Sequence, residues 1–274
     1  MNMSERFKSH FILHGPYFPP HELNRMSAEG DVGSARSNFI DRRFRNLDYL
    51  LRSRYQWMND YLESANVVIE IGAGAGFSAL YLNQKPIFTD AVIHPWIDRV
   101  LDATNMDLQN ESVDVVIASH NIHHFSSPYK FFMECRRVLK PGGKILIQEL
   151  NTSLALRVLL RLMRHEGFSY DVNVFDSNEI VNDPSDLWSA NCAVPEMLFE
   201  SPSEFERVFA GLKIIANQTG ECMLFPLSGR VISKTPLPEL PHWALKIIKT
   251  IDRILTFSFP RIFAMRRSVV ITKI

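Results

Sequence analysis

The sequence has no excess charge of either sign, few cysteines and no long uncharged apolar run. Thirty Lys and Arg residues balance 30 Asp and Glu residues, so net charge gives no indication of a nucleic-acid partner. The three cysteines, Cys135, Cys192 and Cys222, are scattered without a C-x-x-C pair, which is typical of free thiols in a reducing compartment. No apolar run approaches a membrane span, and Met1 to Pro20 lacks the apolar core of a secretory signal. These absences favour a cytoplasmic protein.

The composition is that of a globular protein with a sizeable core. Hydrophobic residues make up 46% and charged residues 22% of the 274 residues, close to globular averages. We expect three segments: 1–65 as an N-terminal loop and helical segment, 66–150 as a core of alternating strands and helices, and 151–274 as an insert that also completes the sheet. Within the first, His10 to Gly33 is rich in Pro, His and Gly and predicts a loop. Ser37 to Leu62 has apolar residues at helical spacing and predicts an amphipathic helical entry to the core.

The most informative stretch runs from Val67 to Gly76. Its apolar first half predicts a buried parallel strand, and it then opens into Gly72, Gly74 and Gly76, spaced two apart. Glycines let the backbone turn sharply and approach a ligand closely. A strand that ends in such a loop is where open α/β sheets bind nucleoside cofactors. The G-x-G-x-G spacing is one residue short of the dinucleotide pattern, and the P-loop ending in Lys-Ser/Thr is missing.

Two acids follow at informative positions. Asp90 ends a predicted second strand 18 positions after Gly72, close to the roughly 20-residue spacing at which an acid reaches ribose hydroxyls. A carboxylate suits a diol because it accepts two hydrogen bonds at once. Asp102 and Ala103 follow a brief third strand, where an acid would accept from an adenine amino group and the next backbone N–H would donate to the ring.

The remaining core elements come in regular order. Val113 to Ala118 predicts a fourth strand, and Tyr129 to Leu139 predicts a helix. Lys140-Pro141-Gly142-Gly143 is a helix-terminating sequence, and Lys144 to Glu149 predicts the fifth strand. A sixth and a seventh strand are expected at Leu212–Ala216 and Val269–Ile274.

Taken in order, these motifs resemble the class I S-adenosylmethionine-dependent methyltransferases over about 66–150. The resemblance implies an α/β fold: a Rossmann-like, seven-stranded, mostly parallel sheet with helices on both faces, N-terminal helices, and a helical lid after strand five. It implies S-adenosylmethionine as methyl donor. It also implies that Glu70 supports the loop, and that the following residues bind the cofactor: Gly72, Ala73, Gly74 and Gly76 at its methionine part, Asp90 and Ala91 at the ribose, Asp102 and Ala103 at adenine, and Ser119 and His120 at the methionine end.

The segment between Asp90 and Asp102 departs from the family's pattern. It contains His94-Pro95-Trp96 and leaves little room for the usual helix. Trp96 or Ile97 would then flank adenine from a loop, or Trp96 would fill a gap in the packing. The predicted helix after the glycines, Phe77 to Asn83, is also short for this family.

The candidate catalytic residues lie just beyond the fourth strand. Histidine has a pKa suited to removing a proton from an acceptor hydroxyl, and His123 and His124 are adjacent. We expect one of them to face the acceptor, the alternative being a histidine packed or hydrogen-bonded in the loop. A metal site built on His120, His123 and His124 is not favoured, because no cysteine or carboxylate cluster completes a ligand set. Glu149 ends strand five, facing the cleft or solvent.

The predicted function is methyl transfer from S-adenosylmethionine to a small-molecule or lipid-linked acceptor, most simply at oxygen. The segment Ser153 to Phe225 would form a lid over the acceptor. Residues 243–267 combine apolar and basic side chains, which suit either contact with the inner face of an anionic membrane or packing on the protein itself. Two alternatives stay open: an NAD-dependent oxidoreductase on a related sheet, and a non-catalytic cofactor-binding scaffold.

Overall fold

A seven-stranded sheet organises the chain. The computed structural model describes residues 15–19, 32–164, 166–229 and 237–274. The strands lie in the order β3-β2-β1-β4-β5-β7-β6, and all pair in parallel except β7, which is antiparallel to both neighbours. Their bounds are β1 Val68–Ile71, β2 Ile87–Asp90, β3 Arg99–Val100, β4 Val113–Ser119, β5 Leu139–Leu150, β6 Leu212–Gly220 and β7 Arg266–Lys273.

Helices and short 3₁₀ turns connect the strands. The 3₁₀ turns cover Gln56–Tyr61, Phe77–Leu80 and Ile122–His124. The α-helices of the described residues are α1 Val32–Arg42, α2 Arg45–Tyr55, α3 Pro128–Val138, α4 Leu154–Met163, α5 Val194–Phe199, α6 Pro202–Val208, α7 Leu224–Leu227, α8 His242–Ser258 and α9 Pro260–Phe263.

Local sequence sets where the best-defined helices begin. Ser127 precedes α3, and its hydroxyl accepts the N–H of Lys130, while Pro128 occupies the first helical position, where no N–H is needed. Ser153 caps α4 in the same way through the N–H of Leu156. Both helices therefore start directly beyond the edge of the sheet where β4 and β5 end.

Each face of the sheet is covered by its own apolar layer. On one face, α3, α5 and α6 pack a cluster of phenylalanines against the strands, with edge-to-face contacts between Phe132 and both Phe199 and Phe205. On the other face, α1 and α2 contribute Phe39 and Leu50 to a layer against Ile117 of β4. Burial on both faces explains why the parallel strands are continuous apolar runs.

The predicted fold class is confirmed, with differences at element ends. The amphipathic segment 37–62 is two helices and a 3₁₀ turn, broken at Arg43, whose φ is +46°. The segment after the glycines is only the turn Phe77–Leu80. Lys140–Gly143, expected to lie before strand five, is already part of β5, because the strand begins immediately after α3. The loop predicted for His10–Gly33 lies largely outside the described residues, and the division into three segments stays a prediction.

Candidate active site

The glycine loop after β1 adopts a conformation that side chains resist. Gly72, Gly74 and Gly76 have φ of +59°, +51° and +64°, in the left-handed region that favours glycine. A Cβ on Gly72 would lie 2.8 Å from the side-chain nitrogen of Asn121, whereas a Cβ on Gly74 would have its nearest neighbour 4.0 Å away. The loop therefore packs tightly at its first glycine and leaves open space at its second.

Asp90, at the end of β2, holds this loop. One carboxylate oxygen accepts the N–H of Gly74 at 2.9 Å, and the other accepts the N–H of Val92 at 3.0 Å. On the far side of the loop, the indole N–H of Trp96 donates to the Gly74 carbonyl at 2.8 Å. Trp96 is not among the side chains that line the cavity described below, and it packs behind the loop.

Glu70 supports the same region from within β1. Its carboxylate is buried and accepts the hydroxyl of Ser78 in the turn that follows the loop. Burial, opposed by that hydrogen bond, raises the pKa of Glu70 to about 8. At neutral pH the protonated form therefore predominates, and Glu70 acts through the turn rather than as a charge facing a ligand.

Asp102 and Ala103 lie beyond β3 at the neighbouring strand end. Asp102 Oδ1 accepts the backbone N–H of Thr104 at 2.7 Å and its hydroxyl at 2.8 Å. These bonds fix the carboxylate in an Asx turn, so its orientation is set without a ligand. Ala103 is buried beside it.

A cavity of about 850 Å³ runs along these strand ends. Of the predicted cofactor residues, those that line it are Gly72, Ala73, Gly74, Asp90, Ala91, Asp102, Ala103, Ser119 and His120. Glu70 and Gly76 lie outside the lining. Residues from four separate segments thus meet at one concave surface, at the carboxyl ends of parallel strands, where open α/β sheets bind ligands.

His120, directly after β4, lines the cavity. Its φ of +54° is unusual for a side chain with a Cβ, and its ring atom Nε2 is buried without a hydrogen-bond partner in the described structure. Burial, with Arg54 and His123 nearby, holds the pKa of His120 well below its usual value. The ring borders the cavity, and a bound ligand that reached Nε2 would supply the missing hydrogen bond.

His123 and His124 line the far end of the cavity in different protonation states. Burial lowers the pKa of His123, but the charge of Glu149 and its hydrogen bond to Nδ1 at 2.8 Å outweigh this and raise it to about 9. Burial and the neighbouring His123 lower the pKa of His124 to about 4. His123 is thus an imidazolium at neutral pH and His124 a neutral imidazole.

Glu149 is a fully buried anchor for this turn. Its Oε1 accepts the N–H groups of Asn121 and Ile122, both at 2.7 Å, and its Oε2 accepts the N–H of Leu150 at 2.9 Å as well as His123 Nδ1. Burial raises the pKa of Glu149, but these partners outweigh it and lower the pKa overall. Glu149 therefore faces neither solvent nor the open cleft.

Several cavity residues were not singled out by sequence reasoning. Glu166, beyond α4, lies with its carboxylate 3.7 Å from His123 Nε2 and 3.9 Å from His124 Nε2. Arg54 of α2 also lines the cavity, whereas Arg36 of α1 lies outside the lining and donates to the Ala75 carbonyl at 2.5 Å. Only folding brings these residues to the strand ends, so no local spacing identifies them.

The predicted lid contributes to the same cavity. Residues 183–188 supply Asp183, Pro184, Asp186, Leu187 and Trp188 to its lining. Asn182 donates to the carbonyls of His123 and Phe125, each at 2.9 Å. The insert is thus hydrogen-bonded directly to the segment His120–His124, which we call the histidine turn.

Comparison with known proteins identifies the central part of the chain. Residues 69–147 match the family model described as a methyltransferase domain. This segment is a methyltransferase domain. A phthiotriol/phenolphthiotriol dimycocerosates methyltransferase of Mycobacterium ulcerans is 40% identical over 85 residues, 29% of this chain and 30% of the relative. The match therefore spans less than a third of that relative.

Solved structures share the fold of the methyltransferase domain and its surroundings. An S-adenosylmethionine-dependent methyltransferase from Archaeoglobus fulgidus aligns with a TM-score of 0.50 at 16% identity, covering 87% of this chain and 99% of that one. Another, from Thermotoga maritima, gives 0.52 at 18% identity, covering 90% and 98%. The predicted fold is confirmed, and both of these structures are described as S-adenosylmethionine-dependent methyltransferases.

Proposed function

We propose that this protein transfers a methyl group from S-adenosylmethionine to a hydroxyl oxygen of a small or lipid-linked acceptor. The observation that carries the proposal is that the glycine loop and the three histidines His120, His123 and His124 line a single cavity. The cofactor would lie along Gly72–Gly74, Asp90 and Asp102. The acceptor would enter between the histidine turn and residues 183–188.

Alignment and removal of a proton are the tasks left to the protein. When bound, S-adenosylmethionine supplies a methyl carbon whose bond to sulfur breaks as the acceptor oxygen bonds to it. The hydroxyl proton then needs a neutral base. His123 is already protonated and bound to Glu149, so the neutral rings of His120 and His124 are the candidates. The lid residues, Trp188 among them, would exclude water.

Transfer of a labelled methyl group tests this function and its scaffold alternative together. The purified protein and labelled S-adenosylmethionine should produce a labelled product in some fraction of a cell extract, partitioned into organic and aqueous phases. His124→Gln should lower the rate with unchanged binding of S-adenosylhomocysteine measured by calorimetry, and His120→Gln should lower the rate measured at saturating S-adenosylmethionine. Cofactor binding with no labelled product in any fraction would favour the scaffold.

The outer surface of α8 favours a lipid-linked acceptor. The helix packs through Leu245, Asp252 and Thr256, and Asp252 accepts the N–H groups of residues 222–224. Its opposite side exposes apolar side chains together with neighbouring residues of α9, and basic side chains flank them. We call this the α8 face: Trp243, Ile247, Ile251, Ile254, Phe257, Phe259 and Ile262, with Lys246, Lys249, Arg253 and Arg261.

A basic, apolar helix face of this kind suits the surface of an anionic membrane. Phe257 is 88% exposed and Trp243 67%, which is unusual for aromatic side chains without a partner. No described helix is both long and apolar enough to cross a bilayer, so the proposed contact is peripheral. The Mycobacterium ulcerans relative is named for complex lipid-like acceptors, which supports the same proposal.

Vesicle sedimentation tests the membrane contact. The protein should sediment with vesicles rich in phosphatidylglycerol, less with phosphatidylcholine alone, and less again at high salt. The double variant Ile254→Ser/Phe257→Ser should lose this binding, while Ile180→Ser, which removes an apolar side chain 68% exposed in the lid, should keep it. Equal sedimentation of both variants would contradict the assignment.

A further inference from the structure

Three metal-ligating groups converge at the far end of the cavity. Nε2 of His123 lies 3.7 Å and Nε2 of His124 lies 3.9 Å from the two carboxylate oxygens of Glu166. One ligand atom from each residue falls within 4.8 Å of the others. Both distances exceed hydrogen-bond length. A cation about 2.1 Å from each ligand would hold neighbouring ligand atoms roughly 3–4 Å apart, and both distances from a histidine to Glu166 fall in that range.

The hydrogen bonds on the other ring nitrogens orient both histidines for this role. His123 Nδ1 is bonded to the Glu149 carboxylate at 2.8 Å, and His124 Nδ1 to the Ser189 carbonyl at 3.1 Å. Each of these partners can only accept, so Nδ1 carries the proton in both rings. His124 thus directs its Nε2 lone pair toward Glu166, and His123 would do the same once an incoming cation displaces the Nε2 proton of its imidazolium.

Outer partners hold the cluster in the manner of known metal sites. A carboxylate behind a ligating histidine fixes its tautomer and orientation, and Glu149 is such a carboxylate, anchored by three backbone N–H groups. On the opposite side, the buried thiol of Cys192 donates to Glu166 Oε2 at 3.2 Å. Two carboxylates, Glu149 and Glu166, carry the charge that a divalent cation neutralises.

We propose that His123, His124 and Glu166 bind a divalent transition-metal ion such as Zn²⁺, with a further coordination position open to the cavity. Two histidines and one carboxylate are a recurring donor set for zinc and for iron(II). All three side chains line the cavity, so the open position faces the place of the acceptor. His120 is excluded from the ligand set, because its Nε2 has no part in the cluster.

The role of the ion rests on the proposed function. An acceptor that presents a hydroxyl or a vicinal diol would take the open position, and a bound divalent ion lowers the pKa of a coordinated oxygen. The lone pair of His124 would then be occupied by the metal. The neutral ring of His120 would be left as the group that receives the proton.

Metal binding is measurable without a methyl acceptor. Protein freed of metal by chelator dialysis should bind Zn²⁺ with one site by calorimetry, and Co²⁺ should give the visible absorption of a low-symmetry nitrogen–oxygen site. Glu166→Gln and His124→Gln should weaken Zn²⁺ binding by about 100-fold or more, since even outer-shell partners contribute about 10–100-fold. Glu204→Gln and His242→Gln, at exposed positions, should leave it unchanged.

Zn²⁺ binding and cofactor binding are measured separately, so the metal site and the proposed methyl transfer can fail independently. Circular dichroism and binding of S-adenosylhomocysteine should be unchanged in Glu166→Gln, which shows that it is folded. Cys192→Ala should weaken Zn²⁺ binding by about tenfold and Cys192→Ser should retain it, because the hydroxyl can still donate to Glu166. Wild-type protein that binds no Zn²⁺, or binds it as well as Glu166→Gln, would overturn the inference while leaving cofactor binding and methyl transfer untouched.

Discussion

The first and second glycines of the loop should respond differently to the same substitution. Gly72→Ala and Gly74→Ala both force a side chain into the left-handed region, at about 1 kcal/mol each. Only the Cβ at Gly72 meets the protein, 2.8 Å from Asn121 Nδ2. That amide also donates to the Ile71 carbonyl, so its displacement costs about 1 kcal/mol more for the hydrogen bond, with overpacking of similar size. We expect losses of about 3 kcal/mol for Gly72→Ala and about 1 kcal/mol for Gly74→Ala.

Urea unfolding measures the stability of the two variants, and calorimetry measures their affinity for S-adenosylhomocysteine. Urea curves give the difference in the free energy of unfolding. Gly74→Ala, although nearly as stable as the wild type, should bind S-adenosylhomocysteine at least about tenfold more weakly, because its Cβ enters the space where the cofactor must approach the backbone. Equal destabilisation of the two variants, or wild-type affinity in Gly74→Ala, would refute the reasoning.

Two further predictions concern charge buried near the cavity. The pKa of Glu70 is about 8 in the folded protein, against its ordinary value of 4.5, which applies to the unfolded chain. As pH rises between these values, the unfolded chain loses this proton before the folded protein does, so the free energy of unfolding of the wild type should fall. Glu70→Gln should flatten this slope by up to about 1.4 kcal/mol per pH unit in urea unfolding; parallel curves would contradict it. Arg54→Met, which breaks a buried 2.7 Å pair with Glu221, should cost about 3 kcal/mol. The exposed Arg52→Met should cost under about 1 kcal/mol, and equal losses in the two would exclude a special role for the buried pair.

The fold was predictable because its signals are local. The apolar run before Gly72 and the acid at Asp90 lie at fixed distances along the chain, and each depends on backbone geometry that the parallel sheet imposes. The start of α4 is local in the same sense, because the capping residue Ser153 directly precedes a run of mostly apolar residues, Leu154 to Met163. Such features can be recognised in the sequence without knowledge of tertiary contacts.

The acceptor side was predictable only in part. His123 and His124 were selected by position, but their different protonation states arise from Glu149 and Glu166, which lie 26 and 43 positions beyond His123 in the chain. The ligand set judged incomplete from sequence gains its carboxylate only when the insert folds over the histidine turn. No sequence periodicity or motif spacing predicts that Glu166 lies beside His123 and His124.

The α8 helix shows a different limit. Its apolar and basic residues form a helix in the structure, but the sequence pattern alone suits two opposite orientations of its apolar side. The side that packs is built around Asp252, which satisfies three backbone N–H groups, whereas Ile247 and Ile254 are exposed. A buried carboxylate on the packed side is a tertiary feature that hydrophobicity does not reveal.

Binding of the nucleoside ligand tests the central claim most directly. Calorimetry with S-adenosylhomocysteine and, separately, with NAD should show binding of the first and none of the second. Asp90→Ala should weaken S-adenosylhomocysteine binding at least about tenfold, since a charged acceptor of hydrogen bonds is lost, while Asp107→Ala, which removes an exposed partner of Arg99, should not. Tight binding of NAD alone, or unchanged affinity in Asp90→Ala, would contradict the account.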